Sequence, residues 1–260
     1  MQALLNWQRT PQGWQVNLKD LQLSNRDARA QGTGQYLIKD NQKPYIDLAM
    51  QFATNRTVDN VRQYIPSIII DGTEAWLKTA IVQGYVPRGE FILQGDPSDF
   101  PFTHKPGVFD IRFDVEQGIL AYQPDWPVAK QVKGELRFHN AGMSGKVTSA
   151  KIMELDVTSG TVDIPDMLGE SHLLLDLNTK GSLKGHLDYL QAAPIGKHLR
   201  DFMQIAQFKG NSALTIKIDV PLDKPVFVKK GVSVLGQLTL NKDAFSLPEY
   251  NQSFSDLTGL

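Results

Sequence analysis

The chain has 260 residues, with 27 Lys and Arg against 28 Asp and Glu, and no Cys. A net charge of −1 disfavours nucleic acid as a partner, because polyanion-binding modules carry a clear basic excess. Without Cys the chain has no disulfide, thiolate metal site or thiol nucleophile, and no apolar run is long enough for a transmembrane helix.

Most of the chain alternates apolar and polar residues with the period of a β-strand. The turn-forming pairs Gln117-Gly118, Ser159-Gly160 and Lys180-Gly181 separate several of these stretches. The predicted strands are 14–18, 36–38, 46–52, 89–94, 107–116, 119–122, 134–138, 147–157, 161–164, 172–178, 214–220, 226–234 and 236–240. The sequence therefore predicts a mainly β fold, a long curled antiparallel sheet with the shape of a groove or open barrel.

Three segments have helical rather than strand periodicity. Residues 57–65 and 195–208 each place apolar side chains on one side, and 71–82 begins with Asp71 and Glu74 at capping-box spacing. The sequence thus predicts two or three short helices beside the sheet.

A glycine followed by alternating apolar residues opens several of the predicted segments. This pattern occurs at Gly89, Gly107, Gly134, Gly185 and Gly236. Its irregular spacing excludes a propeller or solenoid of fixed period.

No low-complexity linker divides the chain, so we expect residues 1–260 to form one continuous segment. Strands are predicted over 1–56, a helical insertion over 57–83, and strands over 84–260 with a helix near 195–208. The final residues, FSDLTGL, resemble the start of a further strand. We therefore expect an excerpt from a longer β-groove protein.

Catalytic and metal-binding motifs do not stand out. The five His residues have no metal-ligand spacing, and the chain contains no G-x-S-x-G or P-loop pattern. Asp163 and Asp166 flank Pro165, but turn chemistry alone predicts Asp and Pro there. The sequence therefore predicts no metal, no cofactor and no enzyme activity.

The stretch YIPSIIIDGTEAWLKTAIVQGYVPRGEFILQGDPSDFPF, residues 64–102, resembles the central region of the YhdP family within the AsmA-like superfamily of Gram-negative envelope proteins. The resemblance continues in order through Leu120-Ala121-Tyr122, Trp126-Pro127 and Val220-Pro221-Leu222. Residues 1–56 match only as generic strands. The family's membrane anchor is missing from this sequence.

This resemblance implies a role in lipid handling. Members of the family are thought to be periplasmic bridges, tethered to the inner membrane, in which a curled β-sheet carries phospholipid acyl chains toward the outer membrane. The implied partners are phospholipid acyl chains, neighbouring modules of the same longer chain, and envelope proteins.

An acyl-chain groove needs an apolar floor along one face of the sheet. The candidates are the inward-alternating residues of the predicted strands: Phe109, Ile111, Phe113, Val115, Leu136, Phe138, Leu173, Leu175, Leu177, Leu214, Ile216, Ile218, Val220, Leu238 and Leu240. Ordinary core packing would explain the same alternation. A non-catalytic envelope scaffold or protein-interaction module with a self-packed β core therefore remains an alternative to the conduit.

Overall fold

The computed structural model describes residues 1–40, 42–59, 79–122, 125–193, 205–222 and 231–259. These residues include the α-helix α1 (Leu183–Ala192) and two 3-10 turns, Pro97–Asp99 and Pro248–Tyr250. They also include the strands β1 (Gln2–Thr10), β2 (Gly13–Ser24), β3 (Ala28–Lys39), β4 (Tyr45–Thr54), β5 (Val58–Asp59), β6 (Ile81–Tyr85), β7 (Gly89–Gly95), β8 (Gly107–Leu120), β9 (Ala129–His139), β10 (Gly142–Ile152), β11 (Leu155–Ile164), β12 (His172–Ser182), β13 (Gln207–Lys209), β14 (Asn211–Pro221), β15 (Ser233–Leu247) and β16 (Gln252–Gly259).

All these strands belong to one long sheet in which neighbours pair antiparallel. The main path runs β1-β2-β3-β4-β7-β8-β9-β10-β11-β12-β14-β15, and β15 also pairs with β13 and β16. The short strands β5 and β6 attach beside the end of β8. Within the described ranges no pairing joins β1 to the far end, so the sheet is open. The predicted mainly β fold with a long antiparallel sheet is confirmed.

The strands are longer than predicted, because two predicted turns are β-bulges. Gln117, with φ of 53°, lies inside β8 where the register to β9 shifts between Val115 and Gly118. Ser159-Gly160 likewise lies inside β11, beside a register shift against β12. A bulge adds one residue to one strand and increases the local twist, so these positions bend the sheet without ending its strands.

Two other predictions about strands were wrong. The predicted strand 147–157 is the hairpin between β10 and β11, which turns at Met153 with φ of 54°. Lys180-Gly181 is not a turn but the last part of β12. The alternation of apolar and polar residues continues across both places. It therefore did not indicate that the chain reverses at the first and stays extended at the second.

The segment opened by Gly185 forms α1, although the sequence predicted strands over 84–260 apart from a helix near 195–208. Ser182 caps the helix, because its Oγ accepts a hydrogen bond of 2.9 Å from the Gly185 amide. Lys184 and Asp188 form an i, i+4 ion pair on the exposed side. The buried side of the helix consists of Leu183, His186 and Tyr189, which are three residues apart. The alternation that follows Gly185 did not indicate this helical spacing.

The helices predicted at 57–65, 71–82 and 195–208 lie mostly outside the described residues. Of their described ends, Val58 begins β5, Ile81 begins β6 and Gln207 begins β13. The helical insertion over 57–83 stays a prediction.

Candidate functional site

One face of the sheet is apolar from β1 to β15. Residues that lie opposite each other on neighbouring strands share a face. Phe91 lies opposite Ile111, Ile111 opposite Phe138, and Phe138 opposite Met143. The series continues on both sides, and we call this surface the apolar face: Leu5, Trp7, Val16, Leu18, Tyr36, Ile46, Leu48, Met50, Phe91, Leu93, Phe109, Ile111, Phe113, Leu136, Phe138, Met143, Val162, Ile164, Leu173, Leu175, Leu177, Leu214, Ile216, Ile218, Val220, Val234 and Leu238.

The opposite face carries charged side chains in cross-strand ion pairs. Arg112 lies 3.0 Å from Glu90, and Lys217 lies 3.1 Å from Asp176. Arg137 pairs with Asp110, whose pKa is raised by burial but lowered overall by hydrogen bonds from Arg137 and His139. We call this the polar face.

Val115 and Leu240 also belong to the apolar face by register and alternation, so all fifteen residues proposed from sequence fall on it. Six are half-buried: Ile111, Phe113, Val115, Leu136, Leu238 and Leu240. The other nine are buried: Phe109, Phe138, Leu173, Leu175, Leu177, Leu214, Ile216, Ile218 and Val220. In the apolar run Leu173-Leu174-Leu175, Leu174 is exposed on the polar face.

Exposure of the apolar face changes along the sheet. Toward β12 and β14 it is closed, and Leu173 and Ile216 are 0% and 2% exposed. Toward β1 it is open, and Leu5, Trp7 and Trp14 are 54%, 69% and 45% exposed. The apolar residues of β2, β3 and β4 are mostly half-buried. We call β1 to β4 the open part of the apolar face.

Sequence reasoning did not propose the residues of the open part. Val16 and Leu18 lie opposite Trp7 and Leu5, and Leu48 lies opposite Leu93. The alternation over 14–18 and 46–52 indicated strands there. It did not indicate that these strands share a face with β7. That relation depends on the pairing of β4 with β7, which are not consecutive in the sequence.

The helix α1 covers part of the closed region. Tyr189 of α1 contacts Trp126, with ring centroids 6.4 Å apart, and both belong to the core that includes Leu173 and Ile216. Leu155 lies beneath the start of the helix, because a Cβ on Gly185 would be 3.3 Å from its Cδ2. The helix therefore lies over the apolar side of β11 and β12.

A polar network fixes α1 to the sheet. The buried His186 lies 3.0 Å from Thr179 Oγ1 through Nε2 and 2.9 Å from Ser212 Oγ through Nδ1. Desolvation lowers the pKa of His186 below 6.5, although a backbone contact with Ser182 and the charge of Asp243 oppose this shift. The imidazole is therefore held neutral, with hydrogen bonds at both nitrogens.

The loop between β7 and β8 covers the apolar face at another place. Phe100 packs against Phe109 with centroids 5.0 Å apart, and Phe102 lies over Gly107, where a Cβ would be 2.4 Å from its ring. Lys43 holds this loop from outside, 2.8 Å from Asp99 and 3.2 Å from Asp96. This contact joins the β3–β4 turn to the loop.

The described part of the chain contains no group of three or more His, Asp and Glu residues arranged to hold a metal ion. Among those residues, none belongs to a helix with the length and apolarity to cross a membrane. The principal feature of the site is thus its extended apolar surface.

Comparisons with known proteins agree with this architecture. The chain is 24% identical over 258 residues to the intermembrane phospholipid transporter YhdP of Escherichia coli (strain K12). The match covers 99% of this chain and 20% of that protein, so the chain spans about a fifth of its relative's length. No solved structure matches the chain. The family model described as YhdP protein matches residues 1–260, and the chain belongs to the YhdP family.

Proposed function

We propose that this chain is a segment of a phospholipid conduit between the inner and outer membranes, with acyl chains carried on the apolar face. The observation that carries the proposal is the open part of that face, which continues without interruption into the buried core. A self-packed sheet would cover this face with a second layer. Here Trp7 and Leu5 remain exposed beside half-buried Val16 and Leu18.

The energetics favour a surface over a single pocket. Each buried CH₂ group of a lipid contributes about 0.8 kcal/mol, so an acyl chain of about 16 carbons gains on the order of 10 kcal/mol when fully dry. A row of Leu, Ile, Val and Phe provides similar contacts at each step along the sheet. Lipid can then move along the sheet without having to dissociate from a single tight binding site. This movement needs no catalytic group.

The fifteen floor candidates have two different roles in this proposal. The half-buried residues, such as Ile111 and Leu136, contact acyl chains directly. The buried residues, such as Leu173 and Ile216, form the core that supports the groove beneath α1. The open part adds Leu5, Val16, Leu18, Leu48 and Met50 to the lipid-contacting set.

The edges of the sheet suit neighbouring modules of the same longer chain. β1 and β16 each pair with one strand within the described ranges, which leaves backbone groups available along their other sides. The relative is about five times as long as the matched segment. In this proposal the flanking strands extend the groove, in a periplasmic protein tethered to the inner membrane.

Photocrosslinking at adjacent residues tests the proposal. Benzoylphenylalanine is placed at Leu18 or Met50 on the apolar face, and at Asn17 or Gln51 on the polar face as matched controls. The chain is irradiated in bacterial cells and purified, and its adducts are identified by mass spectrometry. We expect phospholipid adducts at Leu18 and Met50 only.

Two results would overturn this assignment. Equal phospholipid labelling at Leu18 and Asn17 would mean that lipid contact is nonspecific. Labelling by protein alone at Leu18 and Met50 would identify the open part as a protein-docking surface, as in the scaffold alternative.

A further inference from the structure

A charged side chain lies on the apolar face at one end of the open part. Arg9 on β1 lies opposite Trp14 on β2, and Trp14 lies opposite Ile38 on β3. This row is in phase with the row of Trp7 and Val16, which belongs to the apolar face. Trp14 and Ile38 are both exposed. The apolar surface therefore ends in a row that carries a guanidinium group.

A carboxylate lies beside this guanidinium group. Arg9 Nη2 donates to Asp40 Oδ2 at 2.5 Å, and each side chain is 52% exposed. The guanidinium carbon of Arg9 also lies 5.8 Å from the centroid of the Trp14 ring. We call Arg9, Trp14 and Asp40 the charged end of the apolar face. It places a positive and a negative group side by side at the border of the open part.

Backbone contacts fix the position of the charged end. The Asp40 amide donates to the Gln12 carbonyl at 3.0 Å, which ties the end of β3 to the β1–β2 turn. Thr10 Oγ1 donates to the Gly13 carbonyl at 3.0 Å within that turn. Gly13 also lies close to β3, because a Cβ there would be 2.0 Å from the Ile38 carbonyl oxygen. The charged groups thus project from a framework held by hydrogen bonds and close packing.

The ion pair leaves hydrogen-bonding capacity on both partners. It uses one guanidinium nitrogen of Arg9 and one carboxylate oxygen of Asp40. Within the described part of the chain, Nε and Nη1 of Arg9 and Oδ1 of Asp40 have no further protein partner. The charged end therefore offers donors to an anion and, beside them, an acceptor to a cation.

Other charged groups near the ends of these strands are placed differently. Lys43 contacts Asp96 and Asp99 in the loop before β8. Lys39 is out of phase with Ile38 and lies on the polar face. The ion pair of the charged end is thus the one of these groups that borders the apolar rows.

Apolar rows lead from the charged end into the open part. Tyr36 and Ile46 continue the row of Val16, and the following row contains Leu18 and Leu48. An amphiphile with its chains along these rows places its polar end against the charged end.

We propose that the charged end binds the zwitterionic headgroup of a phospholipid whose acyl chains lie on the open part of the apolar face. The phosphodiester accepts hydrogen bonds from Arg9, because a guanidinium group matches phosphate oxygens in geometry and charge. The ammonium group donates to Asp40, so a primary ammonium, as in phosphoethanolamine, is the best match. The inference rests on the proposed function and adds a headgroup preference to it.

The carboxylate gives the charged end its selectivity. An anionic headgroup without an ammonium group gains the contact with Arg9 but also meets the negative charge of Asp40. Like charges at close range repel each other, and such a repulsive element discriminates between ligands that share the phosphate. The charged end therefore favours zwitterionic over anionic phospholipids.

Titrations of the purified 260-residue chain with short-chain lipids test this assignment. The lipids are dihexanoylphosphatidylethanolamine, dihexanoylphosphatidylglycerol, which has the phosphate without an ammonium group, and dihexanoylglycerol, which has neither. O-phosphoethanolamine tests the headgroup without acyl chains. Backbone NMR shifts report both binding and the folded state of every variant.

The test variants are Arg9→Gln and Asp40→Asn. The matched controls are Arg112→Gln and Glu90→Gln, because this ion pair lies on the polar face with side chains 54% and 55% exposed. Each control removes the same charge as one test variant from an equally exposed ion pair.

We expect the wild type to bind phosphatidylethanolamine more tightly than phosphatidylglycerol. Arg9→Gln should weaken the binding of both phospholipids by about two- to fivefold, the range for one exposed charged contact. Asp40→Asn should lower the ratio of phosphatidylethanolamine to phosphatidylglycerol affinity by about the same factor. Dihexanoylglycerol binding should not change in any variant, and both controls should bind all three lipids like the wild type.

Other outcomes overturn the inference in distinguishable ways. Unchanged phospholipid affinities in Arg9→Gln and Asp40→Asn would remove the charged end from headgroup binding and leave the conduit intact. Equal losses in the control variants would mean that net charge, and not this site, governs binding. O-phosphoethanolamine binding as tightly as the phospholipid would make the charged end a site for a free zwitterion. Failure of the wild type to bind any of the three lipids would overturn the acyl-chain proposal itself.

Discussion

The phenol oxygens of Tyr122 and Tyr189 lie 3.2 Å apart in the core, and they link the segment after β8 to α1. Burial is the main cause that raises the pKa of both phenols, so both are neutral at physiological pH. Trp126 packs against both rings. This contact joins a residue beyond the end of one strand to a helix 67 positions away in sequence.

A double-mutant cycle on this pair tests whether it secures the helix. We expect Tyr122→Phe and Tyr189→Phe each to lower the free energy of unfolding, because each leaves a buried hydroxyl with one partner fewer. The coupling energy should be about 1 kcal/mol by urea unfolding. Strictly additive losses would show that the two hydroxyls do not stabilise each other.

Leucines at the two ends of the apolar face should differ in their effect on stability. Leu214 is 4% exposed in β14 and Leu5 is 54% exposed in β1. We expect Leu214→Ala to cost about 2–5 kcal/mol through loss of burial and an unfilled cavity. Leu5→Ala should change stability by less than about 0.5 kcal/mol. Urea unfolding measures both, and equal losses would contradict the division into open and closed parts.

The alternation of side chains was enough to predict the apolar face but not its covering. Phe109, Leu175 and Ile216 were assigned to one surface because antiparallel strands keep period-two patterns in register. Whether that surface is open depends on α1 and on the loop carrying Phe100 and Phe102. Those contacts join distant parts of the chain, and local periodicity carries no information about them.

The helix α1 shows how two periodicities can compete in one short segment. After Gly185, the apolar Leu187 and Tyr189 alternate with the polar His186 and Asp188, a pattern that fits a strand as well as a helix. The helix is stabilised by the Ser182 cap and by burial of His186 against Thr179 and Ser212.

Glycines on the apolar face make room for side chains of the next strand. A Cβ on Gly160 would lie 2.5 Å from Cδ2 of Leu177 and 2.7 Å from the Asp176 carbonyl oxygen. On Gly236 the nearest atom would be 3.6 Å away, an ordinary contact. We expect Gly160→Ala to cost about 1–3 kcal/mol by overpacking, and Gly236→Ala to cost less than about 1 kcal/mol. Thermal unfolding compares the two, and a harmless Gly160→Ala would contradict the close approach of Leu177.

The buried His186 should make stability depend on pH. Its pKa in the folded chain is lowered, chiefly by desolvation, from the ordinary value of 6.5. The unfolded chain therefore binds more protons in the range between the lowered pKa and 6.5, so stability rises with pH there and is lost as pH falls below about 6.5. Above that range both states are neutral, and this effect is constant.

Unfolding measured from pH ~7.5 to ~5 in the wild type and in His186→Gln tests this linkage. The glutamine variant should lose stability at neutral pH, because it cannot satisfy both Thr179 and Ser212 in the same geometry. Its stability should fall less than that of the wild type on acidification, since the titrating group is gone. His104→Gln, which removes an exposed imidazole in a bend, is the control for loss of a histidine. A His186→Gln slope equal to that of the wild type would mean that other groups cause the acid sensitivity.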